Sequence, residues 1–173
     1  MEKGRIVFLN GVTSSGKTSI IDALRSKGQI DFYYLSDDIF EDHIIDIEYK
    51  SPEYWNNLSD AVFLMYKTAK LFSDHGKTVI IDSMIIETSE FSPHYSKILD
   101  IFKDNPLSII KIYCPLEICR QRNLHRNDRE EYQSHEQAAV MAQGIIYDLE
   151  LDTSNLSANQ CADIIINQFI KGE

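Results

Sequence analysis

The chain has 173 residues, which predicts a single domain over residues 1–173, and its hydrophobic fraction of 43% is ordinary for a globular protein. Its 17 basic and 27 acidic residues give a formal net charge of −10, which argues against a general nucleic-acid binder because such a protein presents a positive surface. No apolar run approaches the roughly 20 residues of a membrane-spanning helix, so we expect neither nucleic acid nor a membrane as a partner.

A phosphate-binding motif lies near the start of the chain. The apolar run Ile6 to Leu9 leads into Gly11-Val-Thr-Ser-Ser-Gly-Lys-Thr18, which fits the pattern G-x-x-x-x-G-K-S/T. The two glycines allow backbone angles that let successive N–H groups surround a polyphosphate, and the helix that follows adds its own unpaired N–H groups. The pattern therefore predicts a nucleotide site formed by Gly11, Thr13, Ser14, Ser15, Gly16, Lys17, Thr18 and Ser19.

Apolar runs alternate with helical patterns along the rest of the chain. Five runs predict buried strands at residues 5–10, 32–36, 77–82, 107–113 and 148–152. Helical spacing predicts helices from the phosphate loop to Gly28, from Ser36 or Asp37 through Ile47, from a Ser51 cap over 54–72, over 91–102, from Pro115 through a run of arginines, over 136–144 and over 157–170. The alternation predicts an α/β protein with a parallel sheet that helices cover on both faces.

Polar residues follow several of these strands, and the carboxyl ends of parallel strands meet at one edge of a sheet. Asp37 and Asp38 come after the second strand, where a carboxylate could accept the proton of a substrate hydroxyl or hold Mg²⁺ through water. Asp82 ends the third strand and could lie beside Mg²⁺. The alternative for all three is a capping, turn or first-turn acid that a helix dipole favours.

Arginines cluster after the fourth strand. Arg122, Arg126 and Arg129 are spaced i, i+4 and i+7, so they share one face if the helix continues through them. Such a segment, about residues 119–135, could close as a lid over a transferring phosphoryl group. The alternative is a solvated basic face that pairs with Glu130 and Glu131.

The three cysteines are an odd number without metal-ligand spacing, and the five histidines show no metal spacing either. We interpret the cysteines as reduced thiols of a cytoplasmic protein. The N-terminal residues lead directly into the first strand, so we expect no signal peptide.

Taken together, the motifs resemble those of the chloramphenicol phosphotransferase-like kinases over most of the chain. Beyond the phosphate loop, the resemblance lies in Ser36-Asp37, in Ser51-Pro-Glu-Tyr54, in Val79-Ile-Ile-Asp82, in Cys114-Pro-Leu-Glu with Arg122, Arg126, Asp128 and Arg129, in Tyr147-Asp148 and in Leu151-Asp152-Thr153. The segment from Asp38 to Ser51 is shorter than in the antibiotic kinase, and Ser83 stands where that enzyme has a second acid.

The resemblance implies a three-layer P-loop kinase fold with sheet order 2-3-1-4-5 and an arginine-bearing lid. It also implies ATP-dependent phosphorylation of a small-molecule hydroxyl, similar to the reaction of chloramphenicol 3-O-phosphotransferase, with antibiotic resistance as an associated role. Asp37 would be the catalytic base and Lys17 the ATP lysine, while Arg122, Arg126 and Arg129 would belong to the lid and Asp152-Thr153 would lie near the adenine.

The sequence thus predicts a cytoplasmic, Mg²⁺-dependent ATP kinase. The predicted catalytic residues are Asp37, Lys17, Arg126 and Arg129, the metal would lie at Thr18 with Asp82 or Asp37, and Arg122, Arg126, Asp152 and Thr153 would complete the ATP site. Two enzyme alternatives remain open, a nucleoside or nucleotide kinase and a sugar-nucleotide kinase. Two further alternatives are a nucleotide-dependent switch, although the guanine-reading pattern Asn-Lys-x-Asp is absent, and a catalytically idle domain.

Overall fold

The computed structural model describes residues 2–44, 46, 48, 51–126 and 128–170. A five-stranded sheet forms its centre, with all neighbouring strands parallel and the order β2-β3-β1-β4-β5. The strands are β1 (Ile6–Asn10), β2 (Tyr33–Ser36), β3 (Val79–Ser83), β4 (Leu107–Tyr113) and β5 (Leu149–Asp152). The predicted α/β fold and strand order are confirmed, and each strand bound lies within two residues of its prediction.

The described residues form seven α-helices. They are α1 (Lys17–Lys27), α2 (Asp37–His43), α3 (Tyr54–Asp74), α4 (His94–Phe102), α5 (Leu116–Leu124), α6 (Gln133–Val140) and α7 (Ala158–Ile165), and a π-helical turn (Ile166–Ile170) continues α7. No helix of the described part of the chain is long and apolar enough to cross a membrane.

Two apolar cores lie on opposite faces of the sheet, and the alternation of side chains along β1 shows why. Ile6 and Phe8 point to the core that α3 and α4 cover, whereas Val7 and Leu9 point to the core that α1 and α7 cover. All five residues of β1 and of β3 are buried, because these strands have neighbours on both edges and helices on both faces. The carboxyl ends of the central strands are therefore held rigidly at one edge of the sheet.

Several helix bounds differ from the predictions. The second helix ends at His43, and the predicted positions Ile45 and Ile47 lie outside the described residues. The prediction that Ser51 caps the long helix is wrong, because α3 begins at Tyr54 and its cap position, Glu53, makes no side-chain capping bond. The helices predicted over 91–102 and 136–144 begin at 94 and 133 instead.

The prediction of three arginines on one helix face is also wrong. Helix α5 ends at Leu124, so only Arg122 belongs to it. The buried Asn123 donates its side-chain amide to the Glu131 carbonyl at 3.1 Å, and Arg120 pairs with the Glu131 carboxylate. These contacts fold the chain back after α5, and Arg126 lies in the returning segment rather than on a continued helix.

The cysteines are free thiols, as predicted. Cys114, Cys119 and Cys161 are all buried and unpaired. Burial raises the pKa of the Cys119 thiol to about 12, which keeps that thiol protonated at neutral pH.

Candidate active site

A cleft of about 1660 Å³ lies at the carboxyl edge of the sheet. The phosphate loop lines it together with Lys17, Asp82, Arg122 and Thr153, and Asp37 and the start of α3 line it as well. The cleft has this composition because β1, β2 and β3 end at the same edge and deliver their following residues to one place.

The phosphate loop has the backbone geometry of an anion site. Ser14 and Gly16 have φ values of 57° and 106°, which turn the chain so that α1 begins directly at Lys17. A side chain at Gly11 would place its Cβ 2.5 Å from the Ile112 carbonyl oxygen, so only glycine fits there. The loop and the unpaired N–H groups of α1 therefore fit a polyphosphate.

Lys17 lies over this loop. Its Nζ donates to the carbonyl oxygens of Gly11 at 2.6 Å and Val12 at 3.2 Å, and it is 3.6 Å from Asp82 Oδ1. Burial raises the pKa of Asp82, and the charge of Lys17 opposes that shift. The lysine is thus already held beside the place where the loop would bind phosphate.

Two predicted metal ligands also lie here. Thr18 is exposed to the cleft and Asp82 is 8% exposed, and both line it. Among the described residues no group of three or more His, Cys, Asp or Glu side chains could hold a metal ion. A hydroxyl and a carboxylate beside a phosphate loop nevertheless fit Mg²⁺, which proteins hold through one or two carboxylates together with substrate phosphates.

Asp37 is the buried carboxyl of the cleft. Its Oδ2 accepts hydrogen bonds from Ser83 Oγ at 2.7 Å and from the Met84 N–H at 3.3 Å, whereas its Oδ1 is buried without a hydrogen-bond partner. Burial raises the pKa of Asp37 to about 7, and the negative charge of Asp82 acts in the same direction. A carboxyl with this pKa suits a general base at neutral pH.

The neighbouring Asp38 lies in a different environment. Its side chain is 65% exposed and forms an ion pair with Arg129, whose Nη2 is 3.0 Å from Asp38 Oδ2. The Ser36 hydroxyl accepts from the Ile39 N–H at 3.2 Å and caps α2, so neither acid serves as the cap. The geometry therefore favours Asp37 over Asp38 as the group that faces a substrate.

A chain of buried hydrogen bonds leads away from Asp37. Ser83 Oγ is 2.9 Å from the Tyr66 hydroxyl, which is 3.1 Å from His94 Nε2, and His94 Nδ1 is 3.1 Å from the Ile86 N–H. When Asp37 is ionised, Ser83 donates to it, so Tyr66 must donate to Ser83 and His94 Nε2–H to Tyr66. Burial lowers the pKa of His94 to about 4, so His94 is neutral at pH 7. Its Nδ1 is 3.1 Å from both the Ile86 nitrogen and the Ile86 carbonyl oxygen, and with the proton on Nε2 it accepts from the Ile86 N–H.

Arg122 joins the phosphate loop to the end of β5. Its Nη1 donates to the Ser14 carbonyl at 3.1 Å and to Thr153 Oγ1 at 3.2 Å, and its Nη2 donates to the Thr153 carbonyl at 3.0 Å. The Thr153 hydroxyl in turn donates to the Ser15 carbonyl at 2.5 Å. Arg122 and Thr153 thus hold the back of the loop in position.

The two remaining arginines line the cleft from the segment after α5. Arg126 forms a bidentate ion pair with Asp128, in which Nε donates to Oδ1 at 3.0 Å and Nη2 donates to Oδ2 at 2.8 Å. Arg129 pairs with Asp38, and its Nε has no hydrogen-bond partner. Both guanidinium groups are thus held by acids at the rim of the cleft.

Asp152 does not line the cleft, unlike its neighbour Thr153. Its carboxylate accepts from the Ser154 N–H at 2.8 Å, from Ser154 Oγ at 2.6 Å and from Asn155 Nδ2 at 2.6 Å. These bonds lower the pKa of Asp152. Its carboxylate therefore orders the turn after β5.

Gln137 is a cleft residue that no sequence pattern indicates. Its Oε1 accepts from the Thr13 N–H at 2.6 Å and so connects α6 with the phosphate loop. Tyr66 and His94 were missed for the same reason, since their patterns indicate only buried helix positions. The adjacency of Ser83 to Asp82 was the one signal for the chain that supports Asp37.

Several solved structures with the same fold are kinases. The APS kinase CysC of Mycobacterium tuberculosis, determined with AMPPNP and APS, matches with a TM-score of 0.72 and 18% identity over 96% of this chain and 97% of that one. A gluconokinase of Sinorhizobium meliloti matches with a TM-score of 0.60 and 14% identity, covering 94% and 89% of the two chains. At these identities the likeness concerns the fold, which is that of the P-loop kinases.

The family follows from the sequence comparison. The model of the chloramphenicol phosphotransferase-like proteins matches residues 4–170, and the chain belongs to that family. A curated relative of Mycobacterium tuberculosis H37Rv, named "Putative O-phosphotransferase Rv2636", is 24% identical over 94% of this chain and 80% of its own length. The predicted family is confirmed, and together with the fold it supports a nucleotide-using phosphotransferase.

Proposed function

We propose that the protein transfers the γ-phosphoryl group of ATP to a hydroxyl of a small molecule. The observation that carries this proposal is the environment of the Asp37 carboxyl. Asp37 lines the same cleft as the phosphate loop. Two donors hold one of its carboxyl oxygens, and the other oxygen is buried without a hydrogen-bond partner. An oriented acceptor for a hydroxyl proton, next to a polyphosphate site, is what phosphoryl transfer requires of a protein.

The nucleotide part of the cleft would bind ATP through the phosphate loop. Backbone N–H groups and the start of α1 surround the phosphates, and Lys17 leaves the carbonyl oxygens of Gly11 and Val12 to contact the outer ones. Thr18 and Asp82 would hold Mg²⁺, which supplies positive charge to the phosphates, and Asp37 is the alternative carboxylate. Thr153 and Arg122 lie behind the loop, on the side of the nucleoside.

The transfer step needs one proton acceptor. Asp37 Oδ1 takes the proton of the substrate hydroxyl as the hydroxyl oxygen bonds to the γ-phosphorus and the bond to the ADP oxygen breaks. Ser83 and the Met84 N–H hold the other oxygen, so Oδ1 is the oxygen left to accept the proton. The proton leaves to water when the phosphorylated product departs.

Arg126 and Arg129 would stabilise charge on the transferring group. In this structure they pair with Asp128 and Asp38, so binding phosphate requires each guanidinium to exchange a carboxylate for a phosphate oxygen. Exposed ion pairs of this kind contribute about 0–1 kcal/mol to stability, so exchanging the carboxylate for a phosphate oxygen costs little free energy.

The experiment is ADP release from Mg²⁺-ATP across a panel of hydroxyl compounds that includes chloramphenicol, other antibiotics, nucleosides and sugar nucleotides. We expect acceptor-dependent release that Lys17→Met abolishes and Asp37→Asn slows by about 10²–10⁴-fold, the scale of a lost general base. Asp38→Asn, the adjacent exposed acid, is the matched control and should stay within a few-fold of wild type. Tight ATP binding without turnover on any acceptor would instead indicate a nucleotide-dependent switch.

A further inference from the structure

The basic side chains of the cleft come from only some of the segments that line it, and these segments also contribute the acids Asp128 and Glu130. The basic side chains that line it come from the phosphate loop, from α5 and from the segment after α5: Lys17, Arg122, His125, Arg126 and Arg129. The rest of the lining comes from α2, the first turns of α3, residues 84–91 and α6, of which α6 also contacts the phosphate loop through Gln137. In the described part of the chain these four segments contribute no Lys, Arg or His to the lining, but they contribute Asp38, Glu41, Glu90 and Glu136.

Three of these four acids have no basic partner among the described residues. Arg129 pairs with Asp38, but among the described residues no basic side chain pairs with Glu41, Glu90 or Glu136. The Ser89 hydroxyl donates to Glu90 Oε1 at 2.6 Å and lowers the pKa of Glu90, so that carboxylate is ionised at neutral pH. This part of the cleft, where the phosphate acceptor would bind, therefore presents negative charge that a substrate could neutralise.

An exposed aromatic ring stands beside these carboxylates. Trp55 lines the cleft, and 52% of its surface is exposed although it is a large apolar residue. Its ring meets Tyr54 edge-on at 5.3 Å, and the Tyr54 hydroxyl donates to Glu41, which places the indole and this carboxylate on one wall. Exposed aromatic faces next to carboxylates are the side chains with which proteins bind organic cations.

The rest of this part of the cleft is apolar and well anchored. Leu58 and Phe91 line it and are buried, with exposures of 8% and 3%. Ser59 of α3 donates to the Glu90 carbonyl at 2.8 Å, which fixes the loop that carries Glu90 against the same helix as Trp55. The surface thus combines an apolar floor with a charged rim.

We infer that the phosphate acceptor is an amino alcohol, with a protonated amine that Glu41, Glu90 and Trp55 bind and an apolar body that rests on Leu58 and Phe91. This inference rests on the proposed function for the hydroxyl that Asp37 faces. Nucleotides and sugar phosphates fit this surface poorly, because their negative charge would meet the carboxylates of Glu41 and Glu90.

A charge series on one scaffold tests the inference. The probes are 2-amino-1-phenyl-1,3-propanediol, which is a cation, its neutral N-acetyl derivative and its anionic N-succinyl derivative. Binding to the full chain saturated with Mg²⁺-AMPPNP is measured by calorimetry. We expect the amine to bind at least about tenfold more tightly than the N-acetyl compound, the anion to bind most weakly, and the preference to shrink with added salt. Equal binding, a preference for the neutral or anionic compound, or no binding of the amine overturns the inference.

Glutamate variants test which side chains cause the preference for the amine over the N-acetyl compound. Glu41→Gln and Glu90→Gln should each reduce the ratio of amine to N-acetyl affinity by roughly threefold, the scale of one partly exposed charge pair. Glu87→Gln is the matched control, because Glu87 is exposed in the same loop but does not line the cleft. The affinity for AMPPNP should be the same in all variants, which verifies that each is folded. A ratio that Glu41→Gln and Glu90→Gln leave unchanged contradicts the assignment.

The same probes separate this inference from the proposed function. If the amine binds preferentially but never supports ADP release from Mg²⁺-ATP, the amine-binding surface is present but the kinase proposal fails. If ADP is released with the N-acetyl or N-succinyl compound and the binding preference is absent, the kinase proposal holds and the inference fails.

Discussion

Asp37 and Asp38 are adjacent in the chain, yet the structure gives them different chemistry. Ser36 caps α2 through its hydroxyl, which frees both acids from that role. The first helical turn then directs Asp37 inward, to Ser83 and Met84, and leaves Asp38 exposed. Burial of the inward acid raises the pKa of Asp37 to about 7.

This burial makes a prediction about stability. A carboxyl whose pKa is raised on folding binds its proton more tightly in the folded state than in the unfolded state. Its contribution to the free energy of unfolding is therefore fully present below the unfolded pKa of 3.8 and is lost as the pH rises to about 7. Asp37→Asn removes the buried charge, so we expect the variant to be more stable than wild type above pH 7, by more than about 1 kcal/mol. Urea unfolding of the ligand-free proteins at pH 5 and pH 8 measures this difference.

The control for that experiment is Asp60→Asn, an exposed acid on α3. Its unfolding free energy should follow wild type at both pH values. A difference between Asp37→Asn and wild type that does not grow from pH 5 to pH 8 would show that Asp37 is not buried as a weak acid.

At the scale of elements, three segments converge on the base through the buried hydrogen-bond chain. Tyr66 belongs to α3 and His94 to α4, and Ser83 ends β3, so the chain ties two helices to the strand that carries Asp82. Each member donates toward Asp37, and such directed chains strengthen one another. The chain therefore positions the Asp37 carboxyl.

Tyr66→Phe removes the donor to Ser83 and lets the Ser83 hydroxyl rotate away from Asp37. We expect kcat to fall by roughly three- to tenfold, because a misplaced base affects the transfer step, while KM for ATP stays unchanged. Tyr95→Phe is the matched control, because the Tyr95 hydroxyl accepts from the Ile146 N–H and has no contact with this chain. Steady-state kinetics of both variants test the prediction, and a rise in KM for ATP with constant kcat would refute the positioning role.

Helix α5 offers a second comparison between neighbouring residues. Arg122 holds the phosphate loop through Ser14 and Thr153, whereas Arg120 pairs with Glu117 and Glu131 and does not line the cleft. We expect Arg122→Ala to weaken ATP binding by about tenfold or more, since charged hydrogen bonds to the loop contribute about 1.5–3 kcal/mol each. Arg120→Ala should leave the affinity for AMPPNP unchanged in a calorimetric titration. Equal losses for the two variants would indicate a general effect on α5.

At the scale of the molecule, the sheet was predictable for a simple reason. Strands such as β1 and β3 are buried on both faces, so they read as unbroken apolar runs, and the phosphate-loop pattern identifies the first of them. The sheet edge then brings Asp37 and Asp82 to the loop without further information. The parts of the site that follow from topology were therefore accessible from the sequence.

Contacts between distant side chains were not accessible in this way. Gln137 and Thr13 are 124 positions apart, and nothing local to either indicates their hydrogen bond. The same holds for the end of α5, where the fold-back depends on Asn123 and Glu131 rather than on helical spacing. The arginines consequently occupy a helix and a turn instead of one face.

The whole molecule also divides its charge in a way that composition conceals. A net charge of −10 describes the chain, but in the described cleft the basic side chains come from the phosphate loop, from α5 and from the segment after it, whereas α2 and residues 84–91 contribute only acidic charged side chains. This division separates a part suited to a polyphosphate from a part suited to its acceptor. The central claim is that Asp37 accepts a proton at the junction of the two.

The most direct test of that claim is the pH dependence of kcat/KM for acceptor-dependent ADP release, compared between wild type and Asp37→Asn at saturating Mg²⁺-ATP. We expect the wild-type value to rise with pH and to level off above about pH 7, because Asp37 must be ionised to take the proton. Asp37→Asn should be slower by about 10²–10⁴-fold and should lack this rise. A variant that retains the wild-type rate and pH profile would contradict the account.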